Sequence, residues 1–98
     1  MEVMWKLVAE VLVRPGDLPS GVTKAFVPVT TWADSADLAG EKLCQYLESF
    51  EWHVISIEAA EPVDETRDYG EEVEDMIERT RTNPKAIILG TFNSYKDN

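Results

Sequence analysis

Cysteine, histidine and basic residues are scarce in this chain. Its 98 residues include one cysteine, Cys44, and one histidine, His53. A single cysteine cannot form an intrachain disulfide, so the cysteine content does not point to an oxidising compartment. One cysteine and one histidine also cannot supply the four ligands of the usual structural zinc site within one chain. We therefore predict no metal centre.

Residues with catalytic chemistry are equally sparse. The five glycines are scattered, whereas a phosphate cradle needs glycines grouped before a helix. Two glutamates follow Gly70 at once and would repel a phosphate. His53 is expected at a strand end, where a structural role is usual. Cys44 is expected in mid-helix, away from the N-terminal position that lowers a thiol pKa, and is interpreted as a small buried hydrophobe. We predict no catalytic residue and no cofactor.

Acidic residues outnumber basic ones by 19 to 9, which gives a formal net charge of −10. Phosphate backbones and anionic membrane surfaces repel such a chain, so binding to nucleic acids or membranes is disfavoured. Basic proteins are attracted instead, although a high charge can also serve only solubility. No apolar run is long enough to cross a bilayer, and the N-terminal residues lack a signal-peptide pattern. We expect a cytoplasmic protein.

Hydrophobic periodicity divides the chain into four strands and two helices. Alternation predicts strands over residues 5–14, 24–32, 52–60 and 85–92, and helical spacing predicts helices over residues 35–49 and 69–82. The predicted buried stripe of the first helix consists of Ala36, Ala39, Leu43, Leu47 and Phe50. The order is therefore β-β-α-β-α-β, and it predicts a single α+β domain over residues 1–98.

The connections suggest how these elements are arranged. Right-handed crossovers would place both helices on one face of a mixed four-stranded sheet, in an open two-layer sandwich. Pro28 cannot donate a ladder hydrogen bond, which favours an edge position or a bulge for the second strand. The apolar residues 87–89 favour a central position for the last strand. A return strand within residues 61–69 would make the order resemble a ferredoxin-like arrangement, a likeness of element order alone that implies no function.

Carboxylates are concentrated between residues 58 and 78, a segment that contains ten acidic residues and one basic residue, Arg67. Glu71, Glu74, Asp75 and Glu78 have helical spacing and should form one exposed stripe. Like charges one turn apart repel each other by about 0.2–0.5 kcal/mol per pair. A solvated face explains the stripe without a function. A docking surface for a basic protein is the functional interpretation.

Three apolar side chains of the second strand, Phe26, Pro28 and Trp32, share one face. If the helices leave this face open, it forms an apolar strip that favours subunit contacts or peptide docking. If the helices cover it, the opposite face of the strand is the exposed one. The alternation alone does not decide between the two.

The leading prediction is a small, acidic, non-enzymatic interaction domain that self-associates, as a homodimer for example, or docks a basic protein partner. The alternative is a small-ligand-binding or enzymatic domain with its site at a dimer interface or on the open sheet face. Its candidate polar groups are His53, Ser56, Tyr69, Asn93 and Tyr95, although no spacing selects them.

Overall fold

A computed structural model describes residues 2–18 and 21–94 of the chain. In chain order its elements are β1 (Val3–Leu12), β2 (Lys24–Ala33), α1 (Ala36–Glu48), β3 (His53–Pro62), α2 (Glu71–Thr82), β4 (Ile87–Leu89) and β5 (Asn93–Ser94). The α+β class and the order β-β-α-β-α-β are thus confirmed, with β5 as a short addition. No strand occurs in residues 63–70, so the ferredoxin-like order does not arise.

The sheet has the strand order β3–β1–β2–β4, and β5 pairs with β2 next to β4. All pairings among the described residues are antiparallel. The sheet is therefore antiparallel and not the mixed sheet that was expected from the sequence. Although α1 returns the chain so that β3 runs parallel to β2, β1 already occupies the place beside β2. β3 therefore pairs with β1, which runs in the opposite direction.

The centre of the sheet is the β1–β2 hairpin, which is paired over ten residues from Val3↔Ala33 to Leu12↔Lys24. The second strand is therefore central, and β4 lies at an edge, the reverse of the expected positions. Pro28 instead marks an interruption in the β2 ladder. Gly90 N donates to Pro28 O at 2.9 Å, but Pro28 has no N–H group and cannot donate a second ladder hydrogen bond. The partner of β2 accordingly stops as β4 and resumes as β5.

The two helices lie on opposite faces of the sheet, not on one face. Val29 is fully buried in the same cluster as Leu43 of α1, whereas its neighbour Thr30 contacts Thr80 of α2 through its hydroxyl at 2.6 Å. Successive residues of a strand point to opposite faces. The result is three layers. The right-handed crossover rule applies to connections between parallel strands. Helix α2 connects β3 to β4, which run antiparallel, so the rule does not fix its face.

The ends of α1 follow the sequence closely. The Ser35 side chain accepts from Leu38 N at 3.2 Å and caps the helix at its start. At its end, Trp52 N donates to Leu47 O and Glu51 N to Glu48 O, with Glu51 in the left-handed region at φ 64°. Phe50 lies in this turn, beyond the last residue of the helix, and is 44% exposed, so it does not belong to the buried stripe in which it was expected.

The main core lies between α1 and the sheet. Its fully buried side chains come from β1, β2 and α1: Leu7, Ala9, Val11, Val27, Val29, Ala39, Leu43 and Leu47. On the other face, α2 contributes Met76 and Ile77, which are 2% and 3% exposed. In the described part of the chain, no helix combines the length and the apolarity needed to span a membrane.

Candidate functional site

The predicted acidic stripe lies on α2, and half of it has basic partners on the same helix. Asp75 lies 3.7 Å from the Arg79 guanidinium, and Glu78 lies 2.7 Å from that of Arg81. Arg81 also binds Glu65 at 2.6 Å, and this hydrogen-bonded carboxylate raises the pKa of Arg81. The last turn of α2 therefore offsets much of the negative charge on which the prediction depended.

The other two acids of the stripe lie in the first turn of α2, which begins after Gly70 without a side-chain cap. Glu74 accepts from Tyr69 N at 3.3 Å, and Glu71 is exposed. Carboxylates in a first turn stabilise a helix through its dipole. A structural explanation is therefore available for each member of the stripe, and its role in docking stays a prediction.

Phe26 and Trp32 lie on the α2 side of the sheet, and both are half-buried. Trp32 lies beside α2 and donates from Nε1 to Thr80 O at 2.8 Å. Phe26 lies six residues away, where β2 pairs with Asn93 of β5. The helix covers one end of the predicted strip, so the two aromatic rings do not form one exposed apolar surface.

The polar residues of the ligand-binding alternative are dispersed. His53 and Ser56 lie on β3, whereas Asn93 lies on β5, with β1 and β2 in between. Tyr69 lies in the connector before α2, where its hydroxyl oxygen accepts from Asp64 N at 2.9 Å. Tyr95 lies outside the described residues.

A groove between α1 and the edge strand β3 is the surface that the sequence analysis missed. Its volume is about 390 Å³, and it is lined by Ala36, Asp37, Gly40, Glu41, Ile57 and Ala60. The helix can approach the strand closely here because Gly40 has no side chain. A Cβ at Gly40 would lie 2.8 Å from Ile57 Cδ1.

One side of α1 extends the acidic rim of this groove. Asp37, Glu41, Cys44 and Glu48 recur at helical spacing and therefore share a side of the helix. None of the ion pairs within residues 2–18 and 21–94 includes these three carboxylates. The pKa of the half-buried Cys44 thiol is raised, first by burial and then by the charges of Glu48 and Glu41. We call Asp37, Glu41 and Glu48 the α1 stripe, and two of its carboxylates, Glu48 and Glu41, disfavour the charged form of the Cys44 thiol.

Exposed aliphatic side chains lie on β3, and one of them, Ile57, lines the groove. Ile55 is 46% exposed and Ile57 is 38% exposed, both on β3. Within the described ranges, no strand pairs with the outer edge of β3. The register with β1 slips twice, which leaves Ile55 and Glu58 as extra residues in β3. Such bulges commonly protect an open edge from pairing with another strand.

A second cavity, of about 460 Å³, lies at the end of the sheet where α1 stops. Its polar groups are paired with one another: Trp52 Nε1 donates to Asp17 at 2.7 Å, and Arg14 binds Glu51 at 3.1 Å. The rings of Phe50 and Trp52 lie 5.6 Å apart beside it. The internal pairing explains these polar side chains without a ligand.

Comparisons with known proteins add no relative. The chain matched no protein-family model, no curated protein and no solved structure. In the described residues, no group of three or more His, Cys, Asp or Glu side chains is arranged to hold a metal ion.

The sequence contained a signal for this groove. Asp37, Glu41 and Glu48 are spaced as one side of a helix, and Ile55 and Ile57 alternate in the following strand. The pattern does not show that Asp37 and Glu41 border one groove with Ile57. That requires knowing that β3 lies at the sheet edge, beside α1.

Proposed function

We propose that this protein is a non-enzymatic interaction domain that docks a basic protein partner on the surface formed by α1 and β3. The supporting observation is a coincidence of two features in one place. Asp37, Glu41 and Glu48 have no ion-pair partner among the described residues, and Asp37 and Glu41 line the same groove as the exposed Ile57.

Each feature contributes differently to docking. Exposed aliphatic side chains contribute binding free energy when a partner removes them from water, at about 25 cal/mol per Å² of apolar surface. Carboxylates at the rim of the contact select partners of the opposite charge and speed their association. Together they favour a partner that presents basic residues around an apolar contact.

The α2 stripe is the second candidate surface for the same partner. It offers four acids, but Asp75 and Glu78 already bind Arg79 and Arg81. A basic partner would have to displace these arginines, whereas Asp37 and Glu41 need no such exchange. Met76 and Ile77 of α2 are buried beneath the stripe and offer no apolar contact. These differences favour the α1–β3 surface.

A second copy of the chain fits this surface less well than a basic partner. Antiparallel pairing of two β3 edges about a twofold axis would bring the acidic sides of the two α1 helices together. Like charges juxtaposed across an interface are unfavourable. The bulges at Ile55 and Glu58 also interrupt the regular edge that such pairing requires.

The test compares two charge-matched triple variants in binding to a fluorescent decalysine peptide. One variant neutralises the α1 stripe (Asp37→Asn, Glu41→Gln and Glu48→Gln), and the other neutralises the α2 stripe (Glu71→Gln, Asp75→Asn and Glu78→Gln). Both variants make the net charge less negative by the same amount. If net charge alone attracts the peptide, both variants should therefore lose the same affinity for it. Fluorescence anisotropy at low salt gives the Kd, and sedimentation velocity gives the oligomeric state of each protein.

We expect the α1 variant to weaken decalysine binding about tenfold and the α2 variant about twofold, with added salt abolishing the difference. Equal weakening in both variants would refute a localised docking surface. A greater loss in the α2 variant would assign docking to the α2 stripe. If sedimentation velocity shows a concentration-dependent dimer, and the substitution Ile57→Lys abolishes that dimer, the result would favour self-association instead.

A further inference from the structure

We infer that the groove between α1 and β3 receives a single lysine or arginine side chain of the basic partner. This inference rests on the proposed function and specifies how the partner is anchored. The groove is apolar along its floor and acidic along one rim, and a long basic side chain has the same division into an aliphatic stem and a charged end.

The floor of the groove consists of Gly40, Ile57 and Ala60. Ala60 is opposite Leu7 in the ladder and therefore points to the α1 side of the sheet. Methylene groups of lysine and arginine pack on apolar surfaces of this kind while their charged ends stay in water. The floor thus matches the stem of the incoming side chain.

The rim of the groove consists of Asp37 and Glu41, one turn apart on α1. Both residues are exposed, so a bound ammonium or guanidinium group can reach them without being fully desolvated. Complete burial of a charge would be costly. A cation at this rim keeps part of its hydration and gains two nearby carboxylates.

The shape of the site favours a side chain over an added strand. Strand addition requires a regular row of free backbone groups along the edge. In β3 the bulge residues Ile55 and Glu58 interrupt that row on both sides of Ile57. A side chain that enters the groove between helix and strand does not depend on the edge register.

The chain offers a matched pair of variants to test this geometry. Ala60→Leu adds an apolar side chain to the groove without changing any charge. Ala59→Leu makes the same change one residue earlier, but Ala59 is opposite Val8 and points to the other face. Both alanines are exposed, so neither substitution perturbs the core. Decalysine binding is measured for both, together with thermal unfolding as a check on folding.

We expect Ala60→Leu to weaken decalysine binding about tenfold, the scale of losing the burial of about two methylene groups, and Ala59→Leu to leave it unchanged. Independently of any variant, decalysine added to the ¹⁵N-labelled protein should shift the amide signals of Gly40, Ile57 and Ala60.

Equal affinities of the two leucine variants would overturn the groove as the anchoring site, as would unshifted signals at those three amides. The proposed function would survive that result if the neutralised α1 variant still lost binding. Loss of the proposed function would appear differently, as equal binding by the two charge-neutralised variants. The two failures are therefore distinguishable.

Discussion

The side-chain oxygens of Thr30 and Thr80 lie 2.6 Å apart, and both residues are fully buried. Thr80 Oγ1 lies 2.7 Å from Met76 O and Thr30 Oγ1 lies 3.4 Å from the same oxygen, so one hydroxyl of the pair donates to Met76 O and the other donates to its neighbour. This pair links the centre of β2 to α2. Because few apolar side chains of α2 are buried, the hydrogen bonds help to fix the helix on its face of the sheet.

Removal of one hydroxyl from this pair should be costly. We expect Thr80→Val to lower the free energy of unfolding by about 1–3 kcal/mol, because the buried Thr30 hydroxyl loses its close partner. The double variant Thr30→Val with Thr80→Val should cost less than the sum of the two single variants. Urea unfolding of all four proteins measures this coupling, and strictly additive losses would contradict it.

Gly90 should tolerate a methyl group far less well than Gly40. A Cβ at Gly90 would lie 2.7 Å from Cγ of the rigid Pro28 and 2.8 Å from Met76 Sδ. We expect Gly90→Ala to destabilise the protein by about 1–3 kcal/mol. At Gly40 the obstacle is the end of the flexible, partly exposed Ile57 side chain, and alanine favours a helix by up to about 1 kcal/mol.

Thermal unfolding of the two alanine variants tests this contrast. Gly90→Ala should lower the Tm, whereas Gly40→Ala should leave it unchanged or raise it. Similar losses at the two positions would show that Ile57 is held more tightly than its exposure suggests.

Glu51 occupies a backbone conformation that suits glycine. Its φ of 64° lies in the left-handed region, which costs a non-glycine residue about 1–2 kcal/mol. Glycine would avoid this cost, although its greater flexibility in the unfolded chain offsets part of the resulting gain in stability. We expect Glu51→Gly to raise the free energy of unfolding by about 1 kcal/mol, measured in urea.

Glu51→Ala is the control for this prediction. It removes the exposed ion pair with Arg14 while keeping a side chain at the strained position. It should therefore give no stabilisation. A gain equal to that of the glycine variant would mean that the carboxylate, and not the backbone conformation, is unfavourable.

The reactivity of Cys44 should report the charge of the α1 stripe. Burial, followed by the charges of Glu48 and Glu41, raises the pKa of this thiol above its ordinary value of 9.0. A raised pKa means less thiolate at any pH below it, so alkylation by iodoacetamide at pH 8 should be slower than for a free cysteine. Glu48→Gln should lower the pKa and speed the reaction.

The pH dependence of the alkylation rate provides the measurement. Its midpoint should move to lower pH in Glu48→Gln and stay in place in Glu71→Gln, which lies on the other helix. An unchanged midpoint in Glu48→Gln would show that the charge of Glu48 does not contribute to the raised pKa of Cys44.

Local sequence signals predicted most elements of the fold. The first helix was expected over residues 35–49 and extends over Ala36–Glu48, because Ser35 is a good cap and the apolar spacing is regular. The second strand was expected over 24–32 and extends over Lys24–Ala33. These signals act within one or two turns of chain, so the sequence displays them directly.

The position of each element in the sheet was harder to predict. Pro28 suggested an edge strand, but β2 is central because the ladder is interrupted locally between β4 and β5. Residues 87–89 suggested a central strand, yet β4 lies at an edge and is half-buried. A run of apolar residues indicates that the strand is buried. It does not indicate whether a neighbouring strand or a covering helix buries it.

By itself, the sequence determined the helices and strands, the absence of an intrachain disulfide and the strong negative charge, because each depends on composition or on neighbours along the chain. Only the tertiary structure decided which face of the sheet each helix covers and which carboxylates acquire basic partners. Arg79 and Arg81 offset the α2 stripe, while Asp37 and Glu41 border an apolar groove. Contacts between distant segments set these relationships, and no local pattern records them.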